Sequence, residues 1–268
     1  MSRLSGKAGD VYIASQEIES CEDVWDEFVD VDVTASADTT DYKVGSASAK
    51  FVCAVALING DIIASEVITS TNLTTYNQVM FWAKSSVAIT TAGDLQLLLD
   101  EDPLCASPLA LDIPVLVANT WKYCKVAATL TDYDATISVG AKLTANDPGA
   151  FTLWLDDIRA AKRIAGVRSW TLDQTVEAVE STGFDSSGHR TYTVGTDGWS
   201  GTFNGFKDGA PLTIGSIVGL ELRESATATQ QYRGSVIITD LSVNVTVDGL
   251  VEYNYTYQGN DALMIATA

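Results

Sequence analysis

The stretch LSVNVTVDGLVEYNYTYQ, residues 241–258, constrains the fold more than any other part of the chain. Leu241, Val243, Val245 and Val247 alternate with Ser242, Asn244 and Thr246. Beyond Asp248-Gly249-Leu250, Val251, Tyr253, Tyr255 and Tyr257 alternate with Glu252, Asn254 and Thr256. A period of two puts each apolar set on one face of a strand, so this is a hairpin with one buried and one polar face. The pattern also sets the register. A two-residue turn at Asp248-Gly249 would pair Val245 with Glu252 and Val243 with Asn254, mixing the faces. A three-residue loop, Asp248-Gly249-Leu250, pairs Val247 with Val251, Val245 with Tyr253 and Val243 with Tyr255. Because a one-residue slip sends every side chain to the wrong face, the three-residue loop is expected.

The same reading gives strands at 169–173, 190–195, 199–206, 217–224 and 232–238 in the C-terminal third. The middle offers 42–54, 78–85, 94–100, 120–127 and 151–158. Thr196-Asp197, between Gly195 and Gly198, reads as a tight turn separating two of these strands. Only 20–30, SCEDVWDEFVD, has apolar residues at helical spacing, Val24 and Phe28, and a short helix is expected there. About fourteen strands make an all-β chain, too many for one small sandwich. The segment RAAKRIAGVR, 159–168, concentrates four basic residues between strand-like runs and reads as a boundary. No repeat of stable period is present.

Residues 15–163 carry 22 acidic and 9 basic side chains, net −13, and the other 119 residues carry 13 and 7, net −6. This balance opposes tight nucleic-acid binding, which needs clustered Lys and Arg against phosphates. No apolar run of about 18 residues spans a membrane, and the opening residues lack the apolar core of a signal peptide, so folding in a cytosol is expected. Cys21, Cys53, Cys105 and Cys124 all fall in the acidic middle, none in a CxxC pair. They read as small buried apolar residues of a reduced protein, although two disulfides in three connectivities remain open.

One stretch, FDSSGHRTYTVGTDGWSGTFNGF at 184–206, gathers groups that invite a catalytic reading. Its His189 is the chain's only histidine, but Ser186 and Ser187 are its neighbours in a Gly-bounded turn, with no nucleophile elbow. The glycines Gly195, Gly198, Gly201 and Gly205 fit neither phosphate-loop pattern, and no helix follows them. Gly201 and Gly205 share a face with Trp199 and Phe203, which marks close packing or a bulge. Carboxylates at Asp100-Glu101-Asp102 and Asp156-Asp157 are the remaining candidates for hydrolysis or calcium. In so acidic a chain they assign nothing, so no catalytic, cofactor-binding or metal residue is named, no cofactor is expected, and the protein is read as a non-enzyme.

The C-terminal third resembles the major tail tube proteins of long, non-contractile-tailed (siphovirus-like) bacteriophages. The matching segments are GVRSWTLDQTVEAVESTGFDSSGHRTYTVGTDGWSGTFNGFKDG, 166–209, and YRGSVIITDLSVNVTVDGLVEYNYTYQGNDAL, 232–263. The residues that carry the likeness are Trp170; Thr182, Phe184 and Asp185; Trp199, Ser200 and Gly201; Tyr232 and Gly234; Val247, Asp248 and Gly249; and Tyr257, Gln258, Gly259 and Leu263. The opening SGKAGDVYIAS resembles that family's first strand. Residues 15–163 are then an insertion, which resembles carbohydrate-binding-module-like jelly rolls through DYKVGSASAKFV, 41–52, and FTLWLDDI, 151–158.

The two resemblances imply an all-β, discontinuous tail-tube β-sandwich/barrel domain, residues 1–14 and 164–268, with an inserted β-sandwich (jelly-roll) domain, residues 15–163, decorating its outside. They imply self-assembly into hexameric rings that stack into a tube, contacts with other tail proteins at the tube ends, and transient passage of double-stranded DNA without specific binding. The location implied is the virion tail, assembled in the bacterial host cytoplasm, with no membrane partner. The loop around His189 is implied to reach the next ring, with residues 178–190 contributing to stacking. The jelly-roll likeness implies a structural calcium near Asp156-Asp157. It also implies weak surface glycan contact if Trp25, Trp82, Trp121 or Trp154 forms an exposed platform, although core packing is expected for each. The alternative reading is a freestanding carbohydrate-binding or adhesin module.

Overall fold

The structure, a computed structural model, describes residues 9–183, 187–225, 230–247 and 249–267. The motif residues Phe184, Asp185 and Asp248, and Ser186, lie outside them. Among the described residues the chain is all-β, with seventeen strands and one 3-10 turn, Pro103–Cys105. Two compact units form: Tyr12–Lys162, and Met1–Val11 joined with Arg163–Ala268.

The first unit is a sandwich of two antiparallel sheets. Its strands are β1 (Asp10–Glu19), β2 (Phe28–Val29), β3 (Val33–Asp38), β4 (Ser48–Cys53), β5 (Ile62–Thr71) and β6 (Gln78–Ser85). They continue as β7 (Leu95–Asp100), β8 (Leu109–Asp112), β9 (Lys122–Ala127), β10 (Thr136–Leu143) and β11 (Phe151–Arg163). One sheet runs β2-β5-β10-β7-β8; the other is built on β11, flanked by β4 and β3 on one side and by β6 and β9 on the other. Phe51, Phe81, Leu97, Leu99, Leu153 and Leu155 fill the space between them. Each such side chain contributes roughly 1.5–3 kcal/mol when fully buried. All four cysteines are buried and none is in a disulfide.

The structure corrects the expected helix at 20–30, which is irregular apart from the two residues of β2. A helix would turn Val24 and Phe28 inward, but Val24 is exposed and Trp25 is the anchor, its ring 5.1 Å from Phe51. β5 and β10, unforeseen in the sequence, are central strands with small residues at their crossing. A side chain on Gly140 would collide with the Cys105 sulfur and sit against the Ala64 carbonyl, so two-sided burial erases the alternation. β11 runs five residues past its expected end, through a bulge between Asp156 and Arg159.

The second unit holds β12 (Val167–Glu180), β13 (Tyr192–Phe206), β14 (Ile217–Arg223), β15 (Gln230–Asn244), β16 (Glu252–Gly259) and β17 (Met264–Thr267). Its sheet runs β12-β13-β16-β15-β14, with β17 also paired to β15. The expected turn at Thr196-Asp197 is not formed. β13 is one continuous strand, and Gly195 and Thr196 together oppose Glu177, the two-against-one arrangement of a bulge. The expected three-residue hairpin loop is also corrected. Val243 pairs with Tyr253 and Leu241 with Tyr255, two residues off the predicted register, leaving 245–251 as a longer loop. An offset of two preserves the faces, so valine still meets tyrosine.

Candidate functional site

The four-stranded part of the second unit is two-faced. Cross-strand register lines up Ser169, Asn204, Asn254 and Ser242 in one row, and Thr171, Thr202, Thr256 and Asp240 in the next. Asp173, Ser200 and Gln258 begin a third. These side chains are hydroxyls, amides and two carboxylates. The nearby cation, Arg168, is neutralised by Glu252 at 2.6 Å. The opposite face carries Trp199, Phe203, Tyr253, Tyr255 and Tyr257, all buried. Phe203 stacks on Tyr255 with ring centroids 4.8 Å apart.

Most residues behind the sequence resemblance meet on this buried face. The Trp199 indole donates to the Asp261 carbonyl at 2.6 Å, and Gln258 Nε2 donates to the Trp199 carbonyl at 2.9 Å. Gly234 and Gly259 leave the room the indole occupies; a methyl at either would run into it. Gly201 likewise makes way for Tyr257, whose hydroxyl donates to the Thr171 carbonyl at 2.7 Å. Trp170 donates to the Arg223 carbonyl at 3.3 Å and faces the Tyr232 ring at 6.0 Å. Three motif residues stand apart. Thr182 accepts from the Thr191 amide at 3.1 Å, and Val247 and Gly249 lie in the 245–251 loop.

Among the described residues, β13 has no partner on its β16 side beyond the Ser200–Gln258 pair, and β12 has none on its outer edge. Residues 174–180 and 192–198 therefore form a two-stranded arm. Val176, Ala178 and Val194 continue the phase of Trp170, Leu172 and Trp199 along the arm, where they share the face with Gln174, Asp197 and Glu180. Val176 is 58% exposed and Val194 77%. His189, at the arm's tip, is exposed beside Ser187 and Gly188, both at positive φ. Among the described residues no hydrogen bond or ion pair joins it to a nucleophile or an orienting carboxylate. The sequence carried a signal for the overhang, an alternation that continues from Trp170 to Ala178 past the length a covered strand needs.

In the first unit, the Asp156–Arg159 bulge gathers carboxylates. Asp156 Oδ2 accepts the amides of Lys43 and Val44 at 2.6 and 3.0 Å, while its Oδ1 is buried without a partner. Burial, with Asp157 and Glu22 nearby, pushes its carboxyl up to about 7. Asp157, at φ 48°, pairs with Arg159 through one oxygen and leaves the other orphaned. Glu22 accepts the Ser46 amide at 3.0 Å. An orphaned oxygen among oxygen donors fits a hard divalent cation such as calcium. Three carboxylates within reach of one ion are found, among the described residues, at Asp26, Glu27 and Glu66 and not at Asp156, so no ion is assigned here.

Hydrolysis finds no such geometry. Asp100 spends its carboxylate on the amides of Glu101, Asp102 and Ser107, which ties the turn after β7. The tryptophans are largely structural: Trp25, Trp82 and Trp154 are buried, and Lys84 and Lys50 lie over the Trp154 ring at 4.6 and 5.5 Å. Trp121 is half-buried and donates to Asp41 at 2.7 Å.

No protein-family model and no curated protein matches the chain. Among solved structures, the chain is similar to the tail of an empty gene transfer agent particle, helically refined with C6 symmetry. The identity is 19% over 40% of this chain and 87% of that one, with a TM-score of 0.34. It is similar to a chain of the native gene transfer agent virion at 17% identity over 40% of this chain and 89% of that one, again at 0.34. A tandem carbohydrate-binding domain, CBM22-1–CBM22-2 of Paenibacillus barcinonensis Xyn10C, aligns at 14% identity over 99% of this chain and 88% of that one, at 0.34. At this level of likeness the functional case rests on the chain's own residues.

Proposed function

We propose that the protein is a structural subunit of a virion tail, assembling into stacked hexameric rings that form a tube through which double-stranded DNA passes. The observation that carries this reading is the two-faced sheet with its unpaired 14-residue edge, β12. A long open edge without proline pairs readily with another strand, which a neighbouring copy in a ring would supply. β17 pairs with β15 on the side that β16 occupies, opposite β14. The polar face then lines the lumen. Its hydroxyls, amides, Asp173 and Asp240 give passing phosphates no unpaired cation to bind, so DNA slides without being held.

In this reading Tyr12–Lys162 decorates the tube's exterior, where its acidity keeps a long filament soluble and repels neighbouring tails. Weak glycan contact by many copies would act through avidity. Other tail proteins contact the two ends of the tube, and assembly takes place in the host cytoplasm. Residues 178–190 contribute to ring stacking.

Negative-stain microscopy of the purified full chain tests the proposal. Rings or tubes are expected, and a monomer that binds glycan arrays would favour a carbohydrate-binding module instead. Deleting 183–189 should leave a folded subunit that makes no tubes; tubes of normal length would remove that loop from the stacking contact.

A further inference from the structure

We infer that the β4–β5 end of the first unit, built around Val31, Val55 and Ile58, is a docking surface for a protein that offers an apolar pocket edged by lysine or arginine. The loop between β4 and β5 reads AVALINGD, 54–61. Of its five leading apolar residues only Leu57 turns into the core, and Ala54, Val55, Ala56 and Ile58 are exposed. Two other loops are tethered to the same end. The Ala54 amide donates to the Asp32 carbonyl at 2.8 Å, which brings the 30–32 turn, with Val31 95% exposed, alongside Val55, 70% exposed. A methyl on Gly149 would touch Val55 at 3.7 Å, so the 144–150 loop borders it. Gly60 and Asp61 are tied to Leu143 at 2.7 and 3.0 Å, which anchors the loop that carries Ile58, 61% exposed. Single exposed apolar side chains are ordinary on a surface, but three on adjoining, tethered loops mark an interaction site. The surface lies wholly within Tyr12–Lys162, so it does not depend on the tube.

The surroundings select the occupant. The loops 30–32, 54–61 and 144–150 contain four aspartates, Asp30, Asp32, Asp61 and Asp147, and no lysine, arginine or histidine. Asp30, Asp61 and Asp147 accept the amides of Asp32, Ile58 and Gly149 at 2.9, 2.9 and 2.7 Å. Those bonds fix the loops but leave the negative charge in place, and among the described residues no ion pair reaches these four carboxylates. An acidic rim repels anionic headgroups and phosphates, which argues against a membrane surface or a nucleic acid. A second copy would bring its own acidic unit, net −13 over 15–163, against this one. The three loops contain no aromatic ring, so a sugar finds no flat face to stack on. A protein whose pocket takes the valines and isoleucine while its cations meet the aspartates satisfies both the centre and the rim.

Peptide binding to the full chain tests the inference. The probe is a fluorescein-labelled dodecamer of alternating leucine and lysine, with leucine–glutamate and serine–lysine dodecamers as controls. By fluorescence anisotropy the leucine–lysine peptide should bind at least about tenfold more tightly than either control, because only it matches both centre and rim. Two double variants, Val55→Ser with Ile58→Ser and Asp32→Asn with Asp147→Asn, should each weaken that binding at least about threefold, with melting temperatures close to the wild type. Equal binding of the three peptides, or a serine variant that binds like the wild type, overturns the inference. Vesicles of phosphatidylglycerol that bind the wild type and not the serine variant would overturn it in favour of a membrane. A change of assembly state in the serine variant, read by sedimentation velocity, would overturn it in favour of a second copy.

Discussion

A Cβ on Gly259 would sit within the Trp199 indole, and one on Gly234 would press against its benzo edge. Gly259→Ala should therefore destabilise the C-terminal unit by about 1–3 kcal/mol, the range for overpacking a filled core. Thermal melting checks this, and an unchanged midpoint would show slack around the indole. Each of these residues was legible as a motif member, but their convergence was not: Trp199, Gly234 and Gly259 are far apart in the chain and meet only through strand order. The carboxylates behave likewise. Glu66 and Glu27 are 39 positions apart, yet Glu66 accepts the Asp26 amide and Glu27 the Val67 amide, each at 3.2 Å. Burial, then the Glu27 carboxyl beside it, pushes Glu66 up to about 8. A folded-state pKa above the usual 4.5 means that the native state holds the proton more tightly. The stabilisation is complete below about 4.5 and is lost as pH rises through about 8. Melting temperature should fall between pH 5 and 9, and Glu66→Gln should flatten part of that slope. A variant with the wild-type slope would exclude Glu66 as a contributor. Asp38, held below the usual carboxylate range by its bonds from Thr40, Trp154 and Lys50 against the burial that opposes them, acts in the opposite sense, below that window.

Among the elements, faces were more legible than lengths. Alternation identified the buried side of β16, where Tyr253, Tyr255 and Tyr257 are buried, but not that of β15, whose matching Leu241 is half-buried and Val243 exposed. It could not distinguish offsets of zero and two, since both keep valine opposite tyrosine; the longer loop leaves Val245 and Val247 in solvent. β13 misled for a related reason. Gly195, Thr196 and Asp197 have turn composition, but in a strand the same residues make a bulge, which sharpens twist without ending the pairing. The arm built on that bulge is a two-stranded ribbon, marginal by itself in water. Hydrogen exchange by the isolated subunit should therefore be fast at 174–180 and 192–198 and slow at 200–206, where β16 flanks β13. Assembly should slow exchange in the arm by at least about tenfold. An arm equally protected in both states would mean that it contributes nothing to the contact between copies.

For the whole molecule, the chain's path explains how the second unit is built from two separate stretches of sequence. The Ile164 amide donates to the Val11 carbonyl at 2.9 Å and Arg163 pairs with Asp10 at 2.6 Å, so the chain departs and returns at one place. An insertion with adjoining ends imposes little strain on its host. Sequence composition registered this as a charge contrast, but chain length and acidity do not reveal where strands pair. The assembly's dimension does follow from pairing. The arm's exposed valine, Val194, and the loop end at Phe206 are the extremes of a single strand, 12 residues apart. At ~3.3 Å per residue they lie about 40 Å apart along β13. If the arm of one copy covers the loop end of the next, the axial repeat is on the order of that length, and tilt of the strands shortens it. Diffraction from tubes imaged in negative stain should thus show an axial spacing of about 40 Å or slightly less. A repeat near 60 Å would place the two overhangs out of reach of each other and transfer the stacking contact to different residues.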